Sequence, residues 1–255
     1  MKYELIQGDC LEVMKELHNK GVKFDLILTD PPYGTTACKW DSIIPLNDMW
    51  DCIDKLTYPT TPVLLFGTEP FSSQLRLSNI NEYKYDWVWY KNTASGFVFA
   101  KKQPLRNNEN ISVFYKKQCK YNPIKEKRDE NLASQKRRQY PLKWEGNSEI
   151  YSIKQDKSKK LEELSYPKTI KRFNSVPNSK GRLHPSQKPA PLLEYLIKTY
   201  TDEGDVVLDF TMGSGSTGIA CQNTNRDFIG IELDEEYYNI ASDRLKENNI
   251  QCKLC

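Results

Sequence analysis

The chain has 255 residues and a net charge of +3, long enough for one large domain or two small ones around a sizeable core. It starts MKYELIQGDC, without an apolar run of signal-peptide length, and nothing later approaches the about 18 uninterrupted apolar residues of a membrane helix. A cytoplasmic, soluble protein with no membrane partner is the expectation. Two histidines and seven scattered cysteines exclude a multi-His metal site and a disulfide framework, and the CKLC tail lacks a second ligand pair for zinc, so no metal is expected.

In chain order, YELIQ reads as a strand, and GDCLEVMKELH as a helix with Leu11, Met14 and Leu17 at helical spacing behind a capping Asp9. FDLILT is the next strand and runs straight into Asp30, Pro31, Pro32 and Tyr33. The prolines end the ladder and fix the backbone, so a carboxylate and a ring are held in a set relation at a strand's carboxyl end. Open α/β sheets put their ligands at that end. A loop containing Trp40 follows, whose ring is either a core anchor or an exposed contact. PVLLFG, YDWVWY and ISVFY are further strands, rich in β-branched and aromatic residues.

Periodicity fades after Tyr115. Residues 116–182 carry 19 Lys and Arg against 8 Asp and Glu, whereas the rest carries 18 against 26. A basic block in an acidic body suits a polyanion or, equally, a solvated insertion. Its interspersed Tyr121, Tyr140, Trp144, Tyr151, Tyr166 and Phe173 argue for an independent lobe.

Order returns at HPSQKPAPLLEYLIKTY, a helix with Pro189 and Pro191 at its start and a stripe of Leu192, Leu193, Leu196 and Ile197. DVVLDF and DFIGIEL are strands flanking TMGSGSTGIACQ, a glycine turn entering a helix, and EEYYNIASDRLKEN closes the chain as a helix. Seven strands with interleaved helices predict a doubly wound, mostly parallel, Rossmann-like α/β sheet.

Gly213, Gly215 and Gly218 match G-x-G-x-x-G after a strand, a pattern open to NAD, FAD or S-adenosylmethionine. Asp209, four residues before the first glycine, would oppose a pyrophosphate but pair with a sulfonium. Glu232 closes the next strand as an acceptor for ribose hydroxyls, and no Lys-Ser/Thr follows for a P-loop. With a methyl donor at that turn, the DPPY stretch suits an exocyclic amino group. Asp30 and the Pro31 carbonyl can accept its two hydrogens, Pro32 has no competing N–H, and Tyr33 offers a stacking face. A duplex base would have to be flipped out to arrive there, with the basic block gripping phosphates.

The order DPPY, basic region, DFTMGSGSTG resembles the β class of DNA amino-methyltransferases over nearly the whole chain. QGDCLEVMKEL, RNNENISVFYK and HPSQKPAPLLEYLI are similar to further family segments. The resemblance implies a circularly permuted methyltransferase sheet in which Tyr3–Gln7 lies beside Phe228–Glu232. Residues 1–115 and 183–255 form the catalytic domain, and 116–182 the inserted target-recognition region. It also implies S-adenosylmethionine as cofactor, with Asp9 at its adenine and Lys188 at its carboxylate. Cys10, Asp30, Asp209, Phe210, Gly213, Ser214, Gly215, Thr217 and Glu232 complete the cofactor-binding set, and Asp30, Pro31, Pro32 and Tyr33 the catalytic set. The implied reaction is methylation of adenine N6 in double-stranded DNA, since cytosine-N4 members more often carry Ser at position 30. A homodimer and a cognate restriction enzyme in a restriction-modification system are the companions it suggests. The alternatives are cytosine N4, RNA or a protein glutamine amide as acceptor, a non-catalytic DNA-binding subunit, and, least, an NAD-dependent dehydrogenase.

Overall fold

Leu26–Thr29 is buried at all four positions, so this strand must be covered on both faces, the pattern of a parallel sheet between helical layers. The computed structural model, which describes residues 2–34, 42–127, 164–177 and 183–254 (249–254 by backbone alone), shows that arrangement. In chain order the elements are β1 Tyr3–Gln7, α1 Cys10–Asn19, β2 Leu26–Thr29, α2 Leu46–Leu56, β3 Val63–Gly67 and α3 Phe71–Ser78. Then come β4 Tyr83–Ser95, β5 Arg106–Phe114, β6 Glu126–Lys127, β7 Leu164–Ser165 and β8 Ile170–Arg172. The chain continues with α4 Ala190–Tyr200, β9 Val206–Asp209, α5 Ser216–Asn223, β10 Asp227–Glu232 and α6 Glu235–Leu254.

The main sheet runs β1-β10-β9-β2-β3-β5-β4-β8. Every neighbouring pair is parallel except those of β5, which is antiparallel to β3 and β4. The permutation is explicit: Tyr3 pairs with Phe228 and Gln7 with Glu232, so the first strand closes the sheet beside the last. Among the described residues the sheet has eight strands rather than the expected seven. The addition is β8, three residues from the basic stretch that pair with Val88–Tyr90, too short and too charged to read as a strand alone.

Alternation along the strands divides the core. Leu26, Leu28, Leu64 and Phe66 pack with Leu192, Leu193, Leu196 and Ile197 of α4. Ile27, Val63 and Leu65 face the other way, onto Met14 and Leu17 of α1 and Trp50 and Ile53 of α2. Sequence reading passed over α2 and α3. In hindsight LNDMWDCIDKL carries Met49, Trp50, Ile53 and Leu56 at helical spacing, all buried.

The chain divides into two compact units, Met1–Asn122 with Thr169–Cys255, and Pro123–Lys168. The first unit thus claims both ends of the stretch read as a separate lobe. In the second, β6 and β7 pair antiparallel and the Lys125 ammonium lies 5.3 Å over the Tyr166 ring. Trp40, Tyr140, Trp144 and Tyr151 lie outside the described residues. No helix among the described residues is long and apolar enough to cross a membrane.

Candidate active site

β2 and β9 are neighbours, and from them the chain winds outward in opposite directions, β2 to β3 and β9 to β10. That makes their junction the switch point of the sheet, where a crevice opens at the strands' carboxyl ends. Pairing of Ile27 with Leu208 brings the ends of both strands to this crevice, with Asp209 at the end of β9 and Asp30 just beyond the end of β2. Hydroxyls stitch the two loops together. Thr29 donates to Asp209 Oδ1 at 2.6 Å and Thr217 to Oδ2 at 2.6 Å. The Thr211 hydroxyl, 2.7 Å from that of Thr29, also reaches the Asp30 carbonyl at 3.1 Å, its one proton serving either. Burial pushes the Asp209 carboxyl up to about 6, against the pull of the Thr217 and Thr29 hydroxyls.

A cavity of about 340 Å³ opens at this junction, lined by Asp9, Cys10, Asp30, Pro32, Lys188, Asp209, Phe210, Gly213, Ser214, Thr217 and Glu232. Residues from the two ends of the chain thus meet at one place. Asp9 caps α1, its carboxylate accepting from Leu11 and Glu12 N–H. Burial raises the Cys10 thiol to about 12, so it faces the cavity uncharged. Glu232 accepts from the Gly213 N–H at 2.8 Å and the Asp234 N–H at 2.9 Å, fixing the turn to the end of β10. Each oxygen keeps a lone pair for a further donor.

Four residues singled out in the sequence do not line this cavity: Pro31, Tyr33, Gly215 and Gly218. Gly215 caps α5 in the left-handed region at φ 75°, and a Cβ there would come 2.9 Å from Leu245 and 3.0 Å from Ala241. Its place is therefore in the packing of the turn against α6. Gly218 is similar, 2.8 Å from Leu245 and Phe228. Tyr33 stacks on Phe71 of α3 with centroids 5.2 Å apart, and its hydroxyl donates to Asp30 Oδ1.

The Lys188 ammonium sits against Asp30 Oδ2 at 2.5 Å and Glu109 Oε2 at 3.3 Å. Glu109 Oε1 in turn takes Lys91 at 2.5 Å. Two carboxylates and two ammoniums thus form a nearly closed charge group at the DPPY end of the cavity. Burial works against the Lys188 charge, but Asp30 and Glu109 outweigh it and hold its pKa above the ordinary lysine value. Burial also opposes ionisation of Glu109, and Lys188 and Lys91 overcome it and keep that carboxyl low. For Asp30 burial pushes upward while Lys188 pulls against it.

The sequence reading missed Glu109, Thr29, His184 and Tyr237. The His184 ring lies 4.1 Å from that of Tyr237 at the cavity wall, and its Nδ1 accepts from the Ser186 N–H. His184 is the first residue of the HPSQKP segment, which could have flagged it. Glu109 carried no such flag, because it stands in the polar half of β5 among Arg106, Asn107, Asn108 and Asn110.

A permuted parallel sheet with an acidic glycine-turn crevice and a proline-fixed carboxylate at its switch point defines a nucleotide-cofactor-dependent group-transfer enzyme. The DNA methylase family model, covering N6 and N4 methyltransferases, matches residues 24–243, and the chain belongs to that family of DNA amino-methyltransferases, which draw their methyl group from S-adenosylmethionine. It is 26% identical over 262 residues to the Type II methyltransferase M.HpaI of Haemophilus parainfluenzae, covering 96% of this chain and 74% of the relative. Against M1.MboII of Moraxella bovis the identity is 25% over 263 residues, covering 92% and 94%. Among solved structures, the M1.HpyAVI–SAM complex superposes with a TM-score of 0.67 at 25% identity, over 95% of this chain and 98% of that one. The PvuII cytosine-N4-specific DNA methyltransferase superposes at 0.63 over 97% and 91%, with 14% identity, a likeness of fold.

Proposed function

We propose that the protein methylates adenine N6 in duplex DNA, with Asp30 as the acceptor that orients the target amino group. The carrying observation is the tie between the Asp30 and Asp209 loops through Thr29 and Thr211, which lets one cavity serve both donor and acceptor. The cavity's residues fit S-adenosylmethionine. Asp9, Asp209 and Glu232 give it an acidic lining that suits a sulfonium and hydroxyls better than a pyrophosphate. Asp9, Cys10, Phe210, Gly213, Ser214, Thr217 and Glu232 would hold the adenosine and Asp209 the positive methionine portion, with Lys188 within reach of its carboxylate. Bound there, the cofactor supplies an electrophilic methyl group.

The chain's part is to orient an amine whose lone pair is delocalised into its ring. The Asp30 carboxylate accepts one N–H and the Pro31 carbonyl the other, which favours a pyramidal nitrogen and stabilises the positive charge that grows on it. Pro31 and Pro32 fix these acceptors beforehand, the preorganisation on which electrostatic stabilisation depends. Tyr33, backed by Phe71, gives the base a supported face. The residues of 116–182 serve as the target-recognition region, gripping phosphates around a flipped base. Aspartate at position 30 favours adenine over cytosine.

The test is transfer of labelled methyl to duplex DNA, followed by nucleoside digestion and mass analysis. N6-methyladenine is expected, and N4-methylcytosine alone would overturn the choice of base. For Asp30→Ala, incorporation should fall by about 10² to 10³ while calorimetry still detects cofactor binding. Parent-level methylation by that variant would remove Asp30 from the mechanism.

A further inference from the structure

Both Asp30 oxygens already hold a donor: Tyr33 hydroxyl on Oδ1 and the Lys188 ammonium, at 2.5 Å, on Oδ2. Each oxygen keeps a lone pair, but the charged donor draws on Oδ2 more strongly than a neutral one and weakens it as an acceptor for an arriving amino group. Nearby lies an acceptor with the opposite problem. Glu109 Oε2 is buried with the Lys188 ammonium 3.3 Å away, an ion pair without the alignment of a hydrogen bond, whereas its partner oxygen Oε1 is held by Lys91 at 2.5 Å. A buried acceptor held so loosely is less favourable than one with a close donor.

We propose that Glu109 is the second seat of Lys188: the ammonium moves from Asp30 onto Glu109 as the target amine arrives, freeing Asp30 Oδ2 to accept the N–H. The displacement is small, from 3.3 Å to the about 2.7–2.9 Å of a charge-assisted bond. No charge enters or leaves the group, because Lys188 stays between the same two carboxylates. Its ammonium lies 5.0 Å over the Phe66 ring, a face that steadies a cation without tying it to one partner. Lys91, itself 5.0 Å over the Trp89 ring, anchors Glu109 from the far side, so Lys188 moves and the carboxylate stays. Glu109 never touches the base; it is a positioning residue acting through Lys188. This rests on the reading of Asp30 as acceptor.

A double-mutant cycle with Glu109→Gln and Lys188→Met, followed by single-turnover methylation of duplex DNA, tests it. Glu109→Gln should slow the methylation step about 10- to 100-fold with little change in DNA affinity, because Lys188 then stays on Asp30. In the Lys188→Met background, assayed at saturating cofactor because Lys188 also lies within reach of the cofactor's carboxylate, the same change should have almost no effect, since no ammonium remains to be moved. Equal losses in both backgrounds, or an unaltered rate in Glu109→Gln, overturn the proposal. Should Glu109→Gln fail to fold, Lys91→Met/Glu109→Gln removes one charge of each sign and should show the same slowing; a parent rate there also overturns it. A structure of the parent with duplex DNA and a non-transferable cofactor analogue is decisive without kinetics. Lys188 bonded to Glu109 Oε2 supports the proposal, and Lys188 still on Asp30 sinks it. Activity of Asp30→Ala at parent level would instead mark failure of the acceptor reading itself.

Discussion

Asp209 shows at the scale of one residue how a cavity is lined against stability. Its carboxyl is buried and raised to about 6 from 3.8, so keeping it ionised at neutral pH disfavours the fold. A raised acid contributes stability that is fully present below its unfolded pKa and lost as pH rises through its folded one. That window runs from about pH 4 to about pH 6 to 7. Asp209→Asn lacks the titration. Its stability relative to the parent should therefore climb by about 2–3 kcal/mol across the window, read by urea denaturation at pH 4 and pH 7. Cofactor affinity should fall in the same variant. A stability difference independent of pH would show that Asp209 is not buried as a charge. The residues that frame it were unequally visible: Asp30 and Asp209 are marked by prolines and glycines beside them, whereas Thr29 and Glu109 stand in strands with no local signature.

At the scale of elements, the glycine turn separates two roles that one motif had merged. Gly213 gives its N–H to Glu232 at the cavity, while Gly215 lets α5 and α6 approach. Arg244 of α6 adds to that contact, donating to the Ser214 carbonyl and, at 3.1 Å, to its hydroxyl. Gly215→Ala should destabilise the protein by about 2–3 kcal/mol, about 1 from the left-handed backbone and the rest from crowding Leu245 and Ala241. Denaturant midpoints measure this; a midpoint within about 0.5 kcal/mol of the parent, the range of neutral surface changes, would mean α6 yields freely. The helices and strands themselves were legible where periodicity was strong, as in α4. They were not where an element is short or owes its form to pairing, as β8 does.

Across the whole molecule, charge is divided along the sequence, with 19 basic residues against 8 acidic ones within 116–182 and an acidic balance elsewhere. Under the proposed function the acidic body would hold the cofactor and the basic stretch would meet the DNA backbone. DNA affinity should then fall steeply with salt, log K dropping by about 0.9 per phosphate contacted, while cofactor affinity stays nearly flat. Titrations between low and physiological salt, on duplex DNA and on cofactor, check both. A flat DNA curve would remove the basic stretch from the interface.

By itself the sequence determined the seven longer strands of the main sheet and the prolines and glycines that end them. Apolar runs, prolines and glycines act through their immediate neighbours, and those neighbours are written in order. Only the tertiary structure decided which distant residues meet. Permutation brings Gln7 to Glu232, hydroxyls bind residue 29 to residue 209, and a lysine at 188 is shared by carboxylates at 30 and 109. Such contacts depend on strand order and register, which the whole core sets at once and no local stretch encodes.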